Sequence, residues 1–122
     1  MTCDFAYPWS RHRAFPAPAP RPPDLVAHLE IDAIAADLAL IAARLGVTPQ
    51  GAYDAARRLE ARQGYSARSR ALQAAATAHA AIGRARDAAN GERCIETIAY
   101  RIKLARAETD EARVVMVRAE VT

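Results

Sequence analysis

The sequence predicts an all-α protein in which an extended, proline-rich arm precedes a domain of four helices. Apolar residues recur every three or four positions through much of the chain, which is the spacing of amphipathic helices. Alanine, the strongest helix former, supplies 31 of the 122 residues. Six of the seven prolines lie in residues 1–23, where they disfavour both helix and central strand. We therefore expect an arm over 1–23, a helical domain over 24–113 and a short C-terminal segment over 114–122.

The arm combines a polyproline-like stretch with an aromatic and basic cluster. Residues 15–23 are dominated by proline, so they should be semi-rigid and extended. Disordered tails contain few large aromatic side chains, whereas this arm holds all the Trp and Phe of the chain. We expect it to dock on its own domain or on a neighbouring chain. The candidate docking residues are Phe5, Tyr7, Trp9, Arg11, Arg13 and Phe15.

Caps and apolar spacing predict the first two helices. Asp24 directly follows two prolines and is a good N-cap for a helix over about 24–45, which ends at Gly46. Its apolar stripe is Ile31, Ile34, Leu38, Ile41 and Leu45, preceded by Leu25, Val26 and Leu29. Thr48 and Pro49 indicate the start of a second helix over about 49–63, which stops at Gly64. Its apolar residues are mostly small, namely Ala52, Ala55, Ala56 and Leu59, with Tyr53.

The third and fourth helices are expected to form an antiparallel hairpin. Ser66 can cap a helix over about 67–89, and a further helix follows over about 92–109 after a short turn. The stripe of the third helix is Leu72, Ala75, His79 and Ile82, and that of the fourth is Ile95, Ile98, Ile102 and Ala105. The small residues of the third helix should let the two backbones approach closely.

The C-terminal segment 114–122 leaves two alternatives open. Val115, Val117, Ala119 and Val121 alternate with larger or charged residues, and this period of two is typical of a strand. The segment equally well continues the fourth helix. A lone strand must pair with another chain to satisfy its backbone, so Val115 and Val117 are candidate docking residues as well.

Composition and charge narrow the function classes. Leu, Ile, Val and Phe together number only 23, so the helices either pack closely through alanine or complete their core with a protein partner or a second copy. The net charge is +3, with residues 24–66 at −2 and residues 67–91 at +3, which permits contact with nucleic acid. Neither an apolar run of about 18 residues nor a secretory h-region occurs. We expect a protein of the cytoplasm or of a phage-type particle, with no membrane association and no secretion.

No pattern in the sequence indicates a reaction. His12, His28 and His79 have no neighbours at metal-ligand spacing, and no nucleophile elbow, phosphate loop or pair of carboxylates is present. We therefore expect a protein that is not an enzyme and that uses no metal, no cofactor and no small-molecule substrate.

Residues 38–59, LALIAARLGVTPQGAYDAARRL, carry the clearest local motif. Ala42, Leu45, Gly46 and Val47, followed by the helix opening 48–50, resemble the helix-turn-helix family of bacterial and phage DNA-binding proteins. In that family the alanine allows a close helix crossing, the glycine adopts the left-handed turn conformation, and the apolar residue fills the space beneath it.

The resemblance implies a recognition helix over 49–62. Gln50, Gly51, Tyr53 and Asp54 would then face bases, and Arg57 and Arg58 would contact bases or phosphates. Arg62 is a further candidate for contact with nucleic acid. The order of DNA-binding unit, helical hairpin and terminal segment is also similar in layout to the small terminase subunits of tailed phages.

Three functions are compatible with these features. The first is a small DNA-binding protein. The second is an architectural subunit of a multi-chain assembly, such as a phage head–tail or capsid component, attached through its arm and its C-terminal segment. The third is a helical subunit of a ribonucleoprotein, in which phosphates are contacted by Arg62, Arg68, Arg70, Arg84 and Arg86.

Overall fold

The computed structural model describes residues 24–92 and 94–121, and these residues form four helices. They are α1 (Leu25–Arg44), α2 (Ala52–Gln63), α3 (Ala67–Gly91) and α4 (Ile95–Val121). The prediction of an all-α domain is confirmed for this part of the chain. The predicted arm, with its six candidate docking residues, lies outside the described residues. Within the described ranges, no helix combines the length and the apolar character needed to cross a bilayer.

Ion pairs and backbone contacts fix the relative directions of the helices. The backbone N–H of Asp24 donates to Ala89 O at 3.1 Å, and Arg86 pairs with Asp32 at 2.7 Å, so α1 and α3 are antiparallel. Arg106 pairs with Asp37 at 2.7 Å, and Arg44 pairs with Glu120 further along, so α1 and α4 are parallel. It follows that α3 and α4 are antiparallel, as the predicted hairpin requires.

The predicted stripe of α1 is its buried face, but the three apolar residues before the stripe are not. Ile31, Ile34, Leu38, Ile41 and Leu45 are each at most 3% exposed. By contrast, Leu25, Val26 and Leu29, which precede the stripe in the sequence, are 67–74% exposed. At helical spacing these three side chains lie on other sides of α1 than the stripe, which α3 and α4 cover.

Alanine forms most of the interface within the α3–α4 hairpin. Six alanines of α3 are at most 3% exposed, and Ala105 and Ala112 of α4 are fully buried. Small side chains let the backbones approach closely but remove little apolar area from water. The buried hydroxyl of Thr109 donates to Ala105 O at 2.8 Å, so this interface also accommodates a satisfied polar group.

Three helix boundaries differ by three or more residues from the predicted ones: the start of α2, the end of α4, and the start of α4, which is Ile95 and not residue 92. The second helix begins at Ala52, because residues 48–51 form a separate turn in which the N–H of Gly51 donates to Thr48 Oγ1 at 3.1 Å. The last helix extends to Val121, so residues 114–121 continue α4, which is one of the two alternatives for this segment. Met116 is 1% exposed, and it fixes these last turns to the core.

Candidate nucleic-acid interface

The turn that leads into α2 has the backbone expected of the glycine-containing motif. Gly46 adopts a φ of 75°, in the left-handed region that favours glycine. The N–H of Val47 donates to Ala42 O at 3.0 Å, which closes the end of α1. The guanidinium of Arg68, in the first turn of α3, donates to Leu45 O at 2.6 Å. Arg68 therefore holds the end of α1 against the start of α3, and the turn is anchored where it leaves α1.

One face of α2 is buried against the rest of the domain. Ala52, Ala56 and Leu59 lie on this face, and each is at most 9% exposed. α2 packs mainly along α3 rather than across α1. The motif implied that α2 packs against α1 in a close crossing at Ala42. In the structure, α2 is instead positioned mainly by its packing on α3. Ala42 is fully buried, at the end of α1.

The opposite face of α2 carries the predicted interface residues. At i, i+4 spacing, Tyr53 and Arg57 form one row, and Asp54, Arg58 and Arg62 form a second row beside it. The last candidate, Gln50, lies in the turn just before α2. All six candidate residues are exposed, so the structure places them together on one surface. We call this surface, formed by Gln50, Tyr53, Asp54, Arg57, Arg58 and Arg62, the α2 face.

Tyr53 and Arg57 form a pair on the α2 face. Arg57 Nη1 donates to the Tyr53 hydroxyl at 3.2 Å, and its guanidinium carbon lies 5.8 Å from the centre of the tyrosine ring. This contact aligns the guanidinium along the helix without neutralising its charge. The remaining N–H groups of Arg57 stay available to an external acceptor.

The arginines of the α2 face form no ion pairs among the described residues. By contrast, the arginines of α3 and α4 that face α1 are paired with carboxylates. Arg106 and Arg113 lie 2.7 and 3.8 Å from Asp37, and Arg86 pairs with Asp32. In the described part of the chain, neither Arg58 nor Arg62 has an ion pair. Residues 46–70 contain five arginines and two carboxylates, a net charge of +3.

One of those two carboxylates is turned away from the interface. Glu60 accepts a hydrogen bond from the side-chain amide of Gln73 on α3. Three of the six acidic residues of segment 24–66 lie on α1, and two of these, Asp32 and Asp37, are matched by arginines of α3 and α4. The α2 face is consequently more basic than the sequence of its segment indicates.

The other candidate residues are not brought to a common surface by any contact. Of the arginines considered for a ribonucleoprotein, Arg68 binds Leu45 O and Arg86 pairs with Asp32, while Arg70 and Arg84 are exposed. Val117 is exposed and Val115 is half-buried on the helical α4.

Sequence reasoning missed the anchoring role of Arg68. It could not be found from spacing, because its acceptor lies 23 positions away in the chain.

No family model, no curated protein and no solved structure matches the chain.

Proposed function

We propose that this chain is a non-enzymatic DNA-binding protein that contacts duplex DNA through the α2 face. The observation that carries the proposal is that the arginines of this face have no carboxylate partner in the described part of the chain, whereas four arginines elsewhere do. Unpaired guanidinium groups at a net positive end of the molecule are suited to bind phosphates and to release counterions from DNA.

The size of α2 also favours this use. A helix of 12 residues is about 18 Å long and fits a DNA major groove that is about 12 Å wide. Arg57 and Arg58 lie on adjacent rows near the middle of the helix, where each can reach a base edge or a phosphate. Arg62 lies one helical turn further on, where it can contact the DNA phosphate backbone beside the major groove.

The test is the double variant Arg57→Ala/Arg58→Ala, measured by fluorescence anisotropy with a labelled duplex over a range of salt concentrations. The matched control is Arg84→Ala/Arg101→Ala, which removes the same charge. Arg84 is exposed, like Arg58, and Arg101 lies 5.9 Å from the centre of the Tyr100 ring, as Arg57 lies beside Tyr53. The control pair is near the α3–α4 turn, away from α2.

We expect the parent protein to bind with an affinity that falls as salt rises. Loss of two phosphate or base contacts should reduce the slope of log affinity against log salt by about 2 in the α2 variant. The control variant should keep the parent slope. Equal losses in the two variants would mean that overall charge, and not the α2 face, is responsible.

A second candidate function is an architectural subunit of a multi-chain assembly, of the phage head–tail or capsid type. The observation that favours it is an apolar surface on α1 that no described residue covers. Leu25, Leu29 and Leu40 are 68–74% exposed on this surface, which we call the outer face of α1. Exposed apolar surface at helical spacing is typical of contacts between chains.

A further inference from the structure

An open apolar groove separates the first halves of α1 and α4. The ion pairs between these helices that the described residues form involve Asp37 and Arg44 of α1, and before Asp37 the helices enclose a groove of about 600 Å³. Its floor contains Ile34, Ile98 and Ile102, and its rim contains the exposed Val26 and Ile95. Apolar surface of this kind is stabilised when another apolar group covers it.

We infer that this groove is the docking site of residues 15–23 of the same chain. The first reason is position, because Asp24 lines the groove and is the residue to which this segment is joined. The hydrogen bond from Asp24 N–H to Ala89 O and the contact of His28 with Asn90 fix the start of α1 on α3. The point at which the preceding segment is joined to the domain is therefore fixed beside the open end of the groove.

The second reason is length. From Ile95 to Arg106 the groove extends along twelve residues of α4, or about 18 Å. The polyproline-like residues 15–20 span about 19 Å, so they are long enough to cover the groove once, with Phe15 at one end of it. A rigid polyproline conformation also reduces the entropy lost on docking.

The third reason is composition. The core of the described residues consists of Ala, Ile, Leu and Met, with no buried aromatic side chain, whereas Phe15 begins the segment.

The charges of the groove and of the segment are also complementary. Glu30 lines the groove and has no ion pair in the described part of the chain, and Arg21 lies three residues before Asp24. This inference is independent of DNA binding by α2.

The experiment uses the full chain carrying Trp9→Phe/Phe15→Trp, which moves its one indole to position 15. We expect its emission to be blue-shifted, and its quenching by acrylamide to be weaker, compared with a peptide of residues 1–23 that carries the same changes. The shift should be independent of protein concentration. A shift that disappears on dilution would assign the groove to the arm of a second copy and overturn docking within one chain.

Variants of the groove test whether residues 15–23 dock there. Val26→Glu/Ile95→Glu changes two exposed residues of the rim, and both lie in the first turn of a helix, where acidic side chains are tolerated. Ala99→Arg changes an exposed position of the groove wall. Each should return the emission to that of the free peptide, while circular dichroism shows unchanged helicity.

The matched control is Leu29→Glu/Leu40→Glu, two residues of similar exposure that do not line the groove. Its emission should stay blue-shifted. Unchanged emission in both groove variants, or free-peptide emission in the parent, would show that the segment lies elsewhere.

Discussion

At the scale of single residues, two glycines should respond in opposite ways to the same substitution. Gly46 has a φ of 75°, so Gly46→Ala should lower the free energy of unfolding by about 1–2 kcal/mol. Gly83 lies inside α3 with open space around an added methyl group, so Gly83→Ala should raise it by about 0.5–1 kcal/mol. Urea unfolding followed by circular dichroism measures both. Changes of the same sign would mean that the turn at Gly46 differs from the one described.

The sequence predicted which faces of the helices are buried or exposed better than it predicted which residues pair between helices. The buried stripe of α1 and the exposed α2 face follow from local spacing, because a helix brings residues three and four apart to one side. The pairing of Asp32 with Arg86 does not, because these residues are 54 positions apart. The net negative charge of segment 24–66 therefore gave a misleading picture of the α2 face.

At the scale of elements, the last turns of α4 show where spacing is ambiguous. Valines at every second position are typical of a strand, but on a helix the same residues lie on several sides. Met116 is 1% exposed and Val117 is 44% exposed, but this difference between neighbours does not by itself identify a helix. A strand would place these neighbours on opposite faces as well, so only long-range packing distinguishes the alternatives.

This difference gives a prediction for α4. Met116→Ala should lower the free energy of unfolding by about 2–5 kcal/mol, because it leaves a cavity at the contact of α4 with the core. Val117→Ala should change it by less than about 0.5 kcal/mol, because its side chain is largely exposed. Urea unfolding of both variants provides the comparison. The prediction fails if Met116→Ala is as mild as Val117→Ala.

At the scale of the whole molecule, the outer face of α1 should drive weak self-association. Burying a leucine side chain contributes about 1.5–3 kcal/mol, whereas association costs about 4–15 kcal/mol in lost freedom. Leu25, Leu29 and Leu40 on each of two chains therefore exceed this cost only modestly. Such contacts become strong when many copies are held in one assembly, because each further contact is then made at a high local concentration.

Sedimentation equilibrium over a range of protein concentrations measures this association. We expect the parent chain to shift from monomer to oligomer as concentration rises, and Leu29→Glu/Leu40→Glu to remain monomeric, because it places two charges in the contact. The control Tyr100→Glu/Val114→Glu changes two exposed residues of α4 that are not candidate docking residues, and it should associate like the parent. A parent chain that stays monomeric throughout would remove the support for an architectural role and leave DNA binding by the α2 face unaffected, since that surface lies on a different helix.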